Sequence, residues 1–146
     1  MQYDLHGYYF EDLTMGMTAT VSRTITETDL RNFSGVSGDT NPMHLNEEYA
    51  KQTPFGHCIV HGMLTASLIS AAIGTKLPGP GCIYMNQTLR FTAPVYVGDT
   101  VYAVVTVSEL NTEKKRVTLT TQCFARDTLV IDGEALIKVP TKPSKL

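Results

Sequence analysis

His61-Gly62-Met63-Leu64-Thr65-Ala66-Ser67-Leu68-Ile69-Ser70-Ala71-Ala72-Ile73-Gly74 decides the fold, because after its histidine it is apolar or small on every helical face rather than along one stripe. A helix of that kind is buried all round. At about 1.5 Å per residue it extends roughly 20 Å, the width of one curved sheet, and its alanines and serines permit close approach of surrounding strands. Lys76-Leu77-Pro78-Gly79-Pro80-Gly81 stops it.

On its C-terminal side the period changes to two. Ile83, Met85, Leu89 and Phe91 share a face opposite Asn86, Thr88, Arg90 and Thr92, with Gln87 the exception on the apolar side. Val101, Ala103, Val105 and Val107 face inward on the next strand, then Val117, Leu119 and Cys123, and then Leu129, Ile131, Ala135 and Ile137. On the N-terminal side, Tyr8-Tyr9-Phe10 reads as an apolar knot that packs in the core or lines a channel, and Met17 to Thr26 as a first strand. Thr26-Glu27-Thr28-Asp29 has the form of a capping box, which predicts a short helix to about Ser34, broken by Gly35 and Gly38. Asn46 caps a second short helix over about Glu47 to Gln52, ended by Pro54 and Gly56. One strand, short helical insertions, a buried helix and four alternating strands describe an α+β domain over residues 1–146, an antiparallel sheet wrapped around a central helix. Its edge strands invite pairing with a second copy, so a homodimer is expected.

With 146 residues, 42% of them hydrophobic and 18% charged, one core forms without disulfides or metal. The net charge of -2 and the lack of a dense basic cluster argue against nucleic acid as a partner. The apolar stretch falls short of the roughly 20 residues that a bilayer requires, so no membrane partner is expected. Met1-Gln2-Tyr3-Asp4 does not have the form of a secretory signal. Cys58, Cys82 and Cys123 form an odd set without C-x-x-C spacing, which favours reduced thiols.

Chemistry concentrates in Val36-Ser37-Gly38-Asp39-Thr40-Asn41-Pro42-Met43-His44. Gly38 tolerates unusual backbone conformations and Pro42 biases Asn41 toward an extended one, so a fixed loop can point Asp39 and His44 into one volume. Alone, Asp39 in such a turn is more often a turn-former than a base. His57 and His61, four apart, could share a helical face as metal ligands, but no glutamate lies between them and Gly56 places His57 before the helix; His61 more simply hydrogen bonds at the helix entrance. Gly35-Val36-Ser37-Gly38-Asp39 fails as a serine-hydrolase elbow, since its last position is Asp39 and no strand precedes it.

Ser37-Gly38-Asp39-Thr40-Asn41-Pro42-Met43-His44, followed by Ile59-Val60-His61-Gly62-Met63 and Pro94-Val95-Tyr96-Val97-Gly98-Asp99, resembles the MaoC-like, hydratase-2 family of hot-dog-fold proteins, in particular the short single-domain (R)-specific enoyl-CoA hydratases. The resemblance covers nearly the whole chain. It implies catalytic roles for Asp39 and His44, a helix-start glycine at Gly62, and an active-site serine at Ser70 that supports from near Asp39. The implied reaction is reversible syn addition of water to a trans-2-enoyl thioester, giving a (3R)-3-hydroxyacyl thioester, with no cofactor and no metal; coenzyme A enters as part of the substrate. Such chemistry needs one group that takes a proton and one that gives one, flanking the same double bond. A backbone N–H at Gly62 would hold the charge that develops on the thioester oxygen.

Three other functions fit parts of the pattern. A dehydratase acting on acyl carrier protein thioesters differs only in the carrier it reads. A hot-dog thioesterase would need a carboxylate on or near the central helix, and His57 through Lys76 contain neither Asp nor Glu. A non-catalytic acyl-thioester binding module would not need the acid/base pair. The terminal Ser144-Lys145-Leu146 spells a peroxisomal address if the source is eukaryotic; for a bacterial source, which the compact chain favours, a cytoplasmic location is expected.

Overall fold

Period-two alternation in the second half of the chain becomes three long antiparallel strands. A computed structural model describes residues 4–144. Its strands are β1 (Thr18–Thr24), β2 (Ile83–Gln87), β3 (Arg90–Phe91), β4 (Thr100–Asn111), β5 (Arg116–Ala125) and β6 (Thr128–Lys138). They form one antiparallel sheet in the order β1-β4-β5-β6-β2, with β3 also pairing with β6. The helices are α1 (Glu27–Ser37), α2 (Pro42–Leu45), α3 (Glu47–Ala50) and α4 (Gly62–Thr75), and α4 packs across β1, β4 and β5.

The core lies between α4 and the concave face of the sheet. Val101, Ala103, Val105 and Val107 of β4, and Val117, Leu119 and Cys123 of β5, are all buried, as their alternation requires. They meet Ile69, Ala72 and Ile73 of α4, and burying each large aliphatic side chain there contributes about 1.5–3 kcal/mol. Burial also pushes the Cys123 thiol up to about 12, which keeps it an inert core group. On β6 the alternation slips. Cys123 pairs with Ile131 but Phe124 pairs with Leu129, so Val130 is the extra residue of a bulge; it is buried, while Leu129 is only half-buried.

Several elements differ from the sequence reading. α1 continues past Gly35 to Ser37, because the true stop is Gly38, whose φ of +78° is left-handed and whose N–H bonds to the Ser34 carbonyl at 2.9 Å. The Asp39 to His44 segment is not all loop: Pro42 sits in the first turn of α2, where its missing N–H costs nothing, and Asn41 caps that turn. α3 ends at Ala50 rather than Gln52. The strand expected over residues 83–92 divides into β2 and β3, and Ile83, Met85 and Phe91 are exposed, leaving Leu89 to reach the core. Nor is α4 buried all round in the single chain, since Met63, Ser67, Ser70 and Gly74 form an exposed stripe. Of the N-terminal aromatics, Phe10 joins the core and Tyr8 is exposed. No helix among the described residues is long and apolar enough to cross a membrane. Lys145 and Leu146, which carry the peroxisomal reading, lie outside the described residues.

The capping box at α1 forms as its sequence predicts. Thr26 Oγ1 accepts the Asp29 N–H at 3.2 Å, the Thr26 N–H donates to Asp29 Oδ2 at 2.9 Å, and Arg23 donates to Asp29 Oδ1 at 2.6 Å. The Arg23 guanidinium is the main cause that holds the Asp29 carboxyl at about 2, below its ordinary 3.8. A depressed folded-state value means that this stability is fully present above about pH 4 and is lost as pH falls through 2. Denaturant titrations at successive pH values are therefore expected to show the native chain losing stability relative to Asp29→Asn between about pH 4 and 2; parallel curves would remove Asp29 from the acid limb.

Candidate active site

The chain reaches the site three times. First, α1 ends at Gly38 and releases Asp39, whose Oδ1 accepts the Asn41 N–H at 3.2 Å while its own N–H donates to Ser37 Oγ at 3.1 Å. These short-range bonds define the turn that carries the carboxylate. Second, α2 places His44, whose Nδ1 lies 2.7 Å from the Ile59 carbonyl oxygen. A carbonyl can only accept, so Nδ1 carries the proton and Nε2 of the neutral ring keeps a free lone pair. Third, the segment from Ile59 to His61 delivers the start of α4. The Val60 N–H donates to the Val95 carbonyl at 2.7 Å, and Ile59 forms a β-bridge with Tyr96. Tyr96 is held in turn by its N–H to Asp99 Oδ2 at 2.8 Å and by its hydroxyl to the Phe55 carbonyl at 3.1 Å. The Pro94 to Asp99 motif is thus the brace of the α4 entrance.

These segments converge. A carboxylate oxygen of Asp39 and one ring nitrogen each from His44 and His61 lie within 4.8 Å of one another, room enough for a water molecule among them. The His44 and His61 rings stack with centroids 3.9 Å apart and planes inclined by 27°. Lone pairs lie in the ring planes, so stacked imidazoles do not converge on a tetrahedral metal, although these are the donors among the described residues that come closest to a metal set. His57 stands outside the group, exposed and bonded through Nδ1 to Glu47 at 2.7 Å.

Beside the cluster is a cavity of about 590 Å³ whose lining includes Asp39, His61, Gly62, Phe91, Val95 and Ile131. It is the right size for a small organic ligand and is mostly apolar. At its wall, α4 opens with no side-chain cap; the Leu64 and Thr65 N–H groups bond to the His61 carbonyl, while those of Gly62 and Met63 have no protein partner among the described residues. Two free N–H groups at a helix start form a natural place for a developing negative charge. A Cβ on residue 62 would meet the Phe91 ring at 2.7 and 2.8 Å, so glycine is what lets the aromatic ring close over the helix start.

Asp39 and His44 are therefore brought together, and Asp39 shares the cavity wall with Gly62, whereas His44 stands behind that wall. Ser70 is not brought in: it is exposed on α4, two turns beyond Gly62, and does not line the cavity. Two participants have no signal in the sequence reading. Phe91 sits on a strand expected to turn its apolar residues to the core, and Ser34 stands at the expected end of α1 with a partner 27 positions away, since its hydroxyl oxygen is 3.0 Å from His61 Nε2.

The chain belongs to the family described as MaoC like domain, which matches residues 11–129. It is 53% identical over 139 residues to an (R)-specific enoyl-CoA hydratase of Rhodospirillum rubrum, covering 95% of this chain and 96% of that one. A 3-hydroxybutyryl-CoA dehydratase of Methylorubrum extorquens is 50% identical over 139 residues, 95% of this chain and 88% of the relative. Among solved structures, the unliganded R-hydratase PhaJ1 from Pseudomonas aeruginosa superimposes with a TM-score of 0.89 at 43% identity, covering 97% of this chain and 95% of that chain. The sheet wrapped around α4 is accordingly an α+β hot-dog fold.

Burial is the largest influence on His61 and lowers its pKa below the ordinary 6.5, with the neighbouring His44 acting in the same direction against the Asp39 carbonyl. In ¹⁵N-resolved NMR titrations, His61 is expected to stay neutral below pH 6.5, and neutral His44 to show the Nδ1–H tautomer. A His61 that titrates above 6.5, or a His44 protonated at Nε2 alone, would contradict these assignments.

Proposed function

We propose that the chain is an (R)-specific enoyl-CoA hydratase, a hydro-lyase that adds water reversibly to trans-2-enoyl-CoA to give (3R)-3-hydroxyacyl-CoA. The observation that carries this reading is the approach of the Asp39 carboxylate and the His44 imidazole to within 4.8 Å, beside an apolar cavity edged by a Gly62 N–H that has no protein partner among the described residues.

The chemistry follows from that arrangement. As the water oxygen bonds to the β carbon, one member of the pair removes its proton and the π electrons move toward the thioester, placing negative charge on its oxygen. The Gly62 N–H receives that charge; a preorganised donor of this kind is worth about 3–4 kcal/mol of barrier. Collapse of the enolate then takes the proton lifted from water, now held by the pair, onto the α carbon. Because both groups stand on the same side, hydroxyl and hydrogen arrive on one face, which is syn addition. Proton transfer alone completes the cycle, and coenzyme A takes part only as the carrier of the acyl group. The acid-free α4 offers no carboxylate for attack on the thioester carbonyl, which favours addition to the double bond over hydrolysis.

A homodimer is part of the same proposal. β2 is an edge strand carrying exposed Ile83 and Met85, and Phe91, Met63 and the small residues of the α4 stripe are exposed as well. Apolar surface of this kind on a sheet edge calls for a cover. A second copy seated there would also enclose Ser70, whose supporting role has no partner within one chain.

Purified protein supplied with crotonyl-CoA and longer trans-2-enoyl-CoAs is expected to consume the enoyl absorbance and yield the (3R) product. No turnover, or an (S) product, would overturn the assignment. Asp39→Asn and His44→Ala are each expected to lower kcat by about 10²–10⁴-fold with the fold intact, as for loss of a general acid or base. Sedimentation equilibrium is expected to give twice the 16.0 kDa chain mass, and Met85→Glu to shift the population toward the single chain; a monomer in the unaltered protein would end the dimer proposal.

A further inference from the structure

His61 is, with Thr65, the most completely buried polar side chain near the site, 1% exposed, yet it has no place in the proton transfers above. Its Nε2 lies 3.1 Å from the Asp39 carbonyl oxygen and 3.0 Å from Ser34 Oγ. Its ring is held between Phe33, tilted 58° at 4.9 Å, and His44, stacked at 3.9 Å. It is also the residue before Gly62 and the N-cap of α4, so the peptide that bears the Gly62 N–H is fixed on one side by the His61 main chain.

The proton on this ring can be placed. The Asp39 carbonyl accepts only, so Nε2 carries the hydrogen and directs it to that carbonyl, with Ser34 Oγ alongside. Nδ1 then keeps a lone pair that has no protein partner. The opposite tautomer would aim a lone pair at the carbonyl and bury an unpaired N–H, which is the costlier arrangement. One imidazole therefore touches, or is bonded in the chain to, each part of the proposed machinery: the Asp39 main chain through Nε2–H, the His44 ring through its face, and the Gly62 peptide through the backbone.

We propose that His61, steadied by Ser34, is a positioning residue for the hydration reaction, holding the Asp39 turn and the His44 ring in register with the Gly62 N–H. The proposal rests on the hydratase reading above. Positioning of this sort acts on kcat, because a displacement of about 1 Å between reacting groups costs roughly 10²-fold. His44 must present its free nitrogen to the same water that Asp39 contacts, and a stacked ring in front of a rigid carbonyl bond is what limits its tilt. Burial, which disfavours charge on His61, keeps a protonated His44 from facing a second cation.

Two substitutions separate the functions of the ring. His61→Gln keeps an N–H near the Nε2 position but loses the stack; His61→Phe keeps the stack but loses the donor. In the crotonyl-CoA assay, His61→Phe is expected to lower kcat by about 10–100-fold while KM changes by less than about threefold. His61→Gln is expected to recover part of that loss, and Ser34→Ala to lower kcat by about 3–10-fold, since it removes only the support. Ser34→Ala is the smallest change and serves if a ring substitution fails to fold. The proposal is overturned if correctly folded His61→Phe and Ser34→Ala keep kcat within twofold, or if their losses lie wholly in KM, which would make His61 a wall of the cavity and nothing more. Asp39→Asn and His44→Ala run beside them. If those two abolish turnover while the His61 and Ser34 variants keep kcat within twofold, positioning fails and the hydratase reading stands; if those two retain turnover, both fall together.

Discussion

A helix that starts against a sheet leaves its first N–H groups without partners, and the rest of this structure depends on that constraint. Capping Gly62 and Met63 with a side chain would satisfy the backbone and close the site. The chain instead leaves them open and surrounds them: Val95 and Tyr96 hold the approach to the helix, Phe91 lies over Gly62, and the sheet covers the body of α4. Aliphatic burial along Ile69, Ala72 and Ile73 compensates for what the helix start forgoes.

The same division explains why the proposed acid/base pair lies outside the sheet. A carboxylate carried on a core strand would lose its hydration. Asp39 and His44 sit on short elements joined by local bonds, at the border between an apolar cavity and solvent. Their geometry comes from turns and caps, while the apolar walls come from Val95, Val130 and Ile131 of the scaffold.

Legibility in the sequence followed the range of the interaction. β4 and β5 were readable because alternation is a local pattern and both strands have α4 behind them. The same alternation in residues 83–91 identified a face but not its cover, and Ile83, Met85 and Phe91 turned out exposed. α4 misled in the same way: uniformly small and apolar residues imply cover on all sides, and within one chain the Met63 to Gly74 stripe has none. Asn41-Pro42 reads as a break, yet proline fits the first turn of a helix, so α2 was missed. Asp39, His44 and Gly62 can be singled out as candidates because they lie within motifs of fixed spacing. The bond between Ser34 and His61 cannot, since nothing local to Ser34 names a partner 27 positions away.

The pairing of β1 with β4 sets an order of assembly. The hydroxyls of Thr18 and Thr106 meet across 88 positions, and Asp39, His44, the start of α4 and its brace at Val95 and Tyr96 all lie within the loop they close. During synthesis β1 emerges before the other strands and has no neighbour until β4 is made, and α4 is complete before β4 and β5, the long strands it packs against. Closing so large a loop is paid in entropy before the contacts return it, which makes formation of this sheet slow for a chain of this size. The nascent protein therefore passes through a stage in which its central helix is exposed and its site does not yet exist, and that interval, more than the finished fold, is where the chain is open to aggregation.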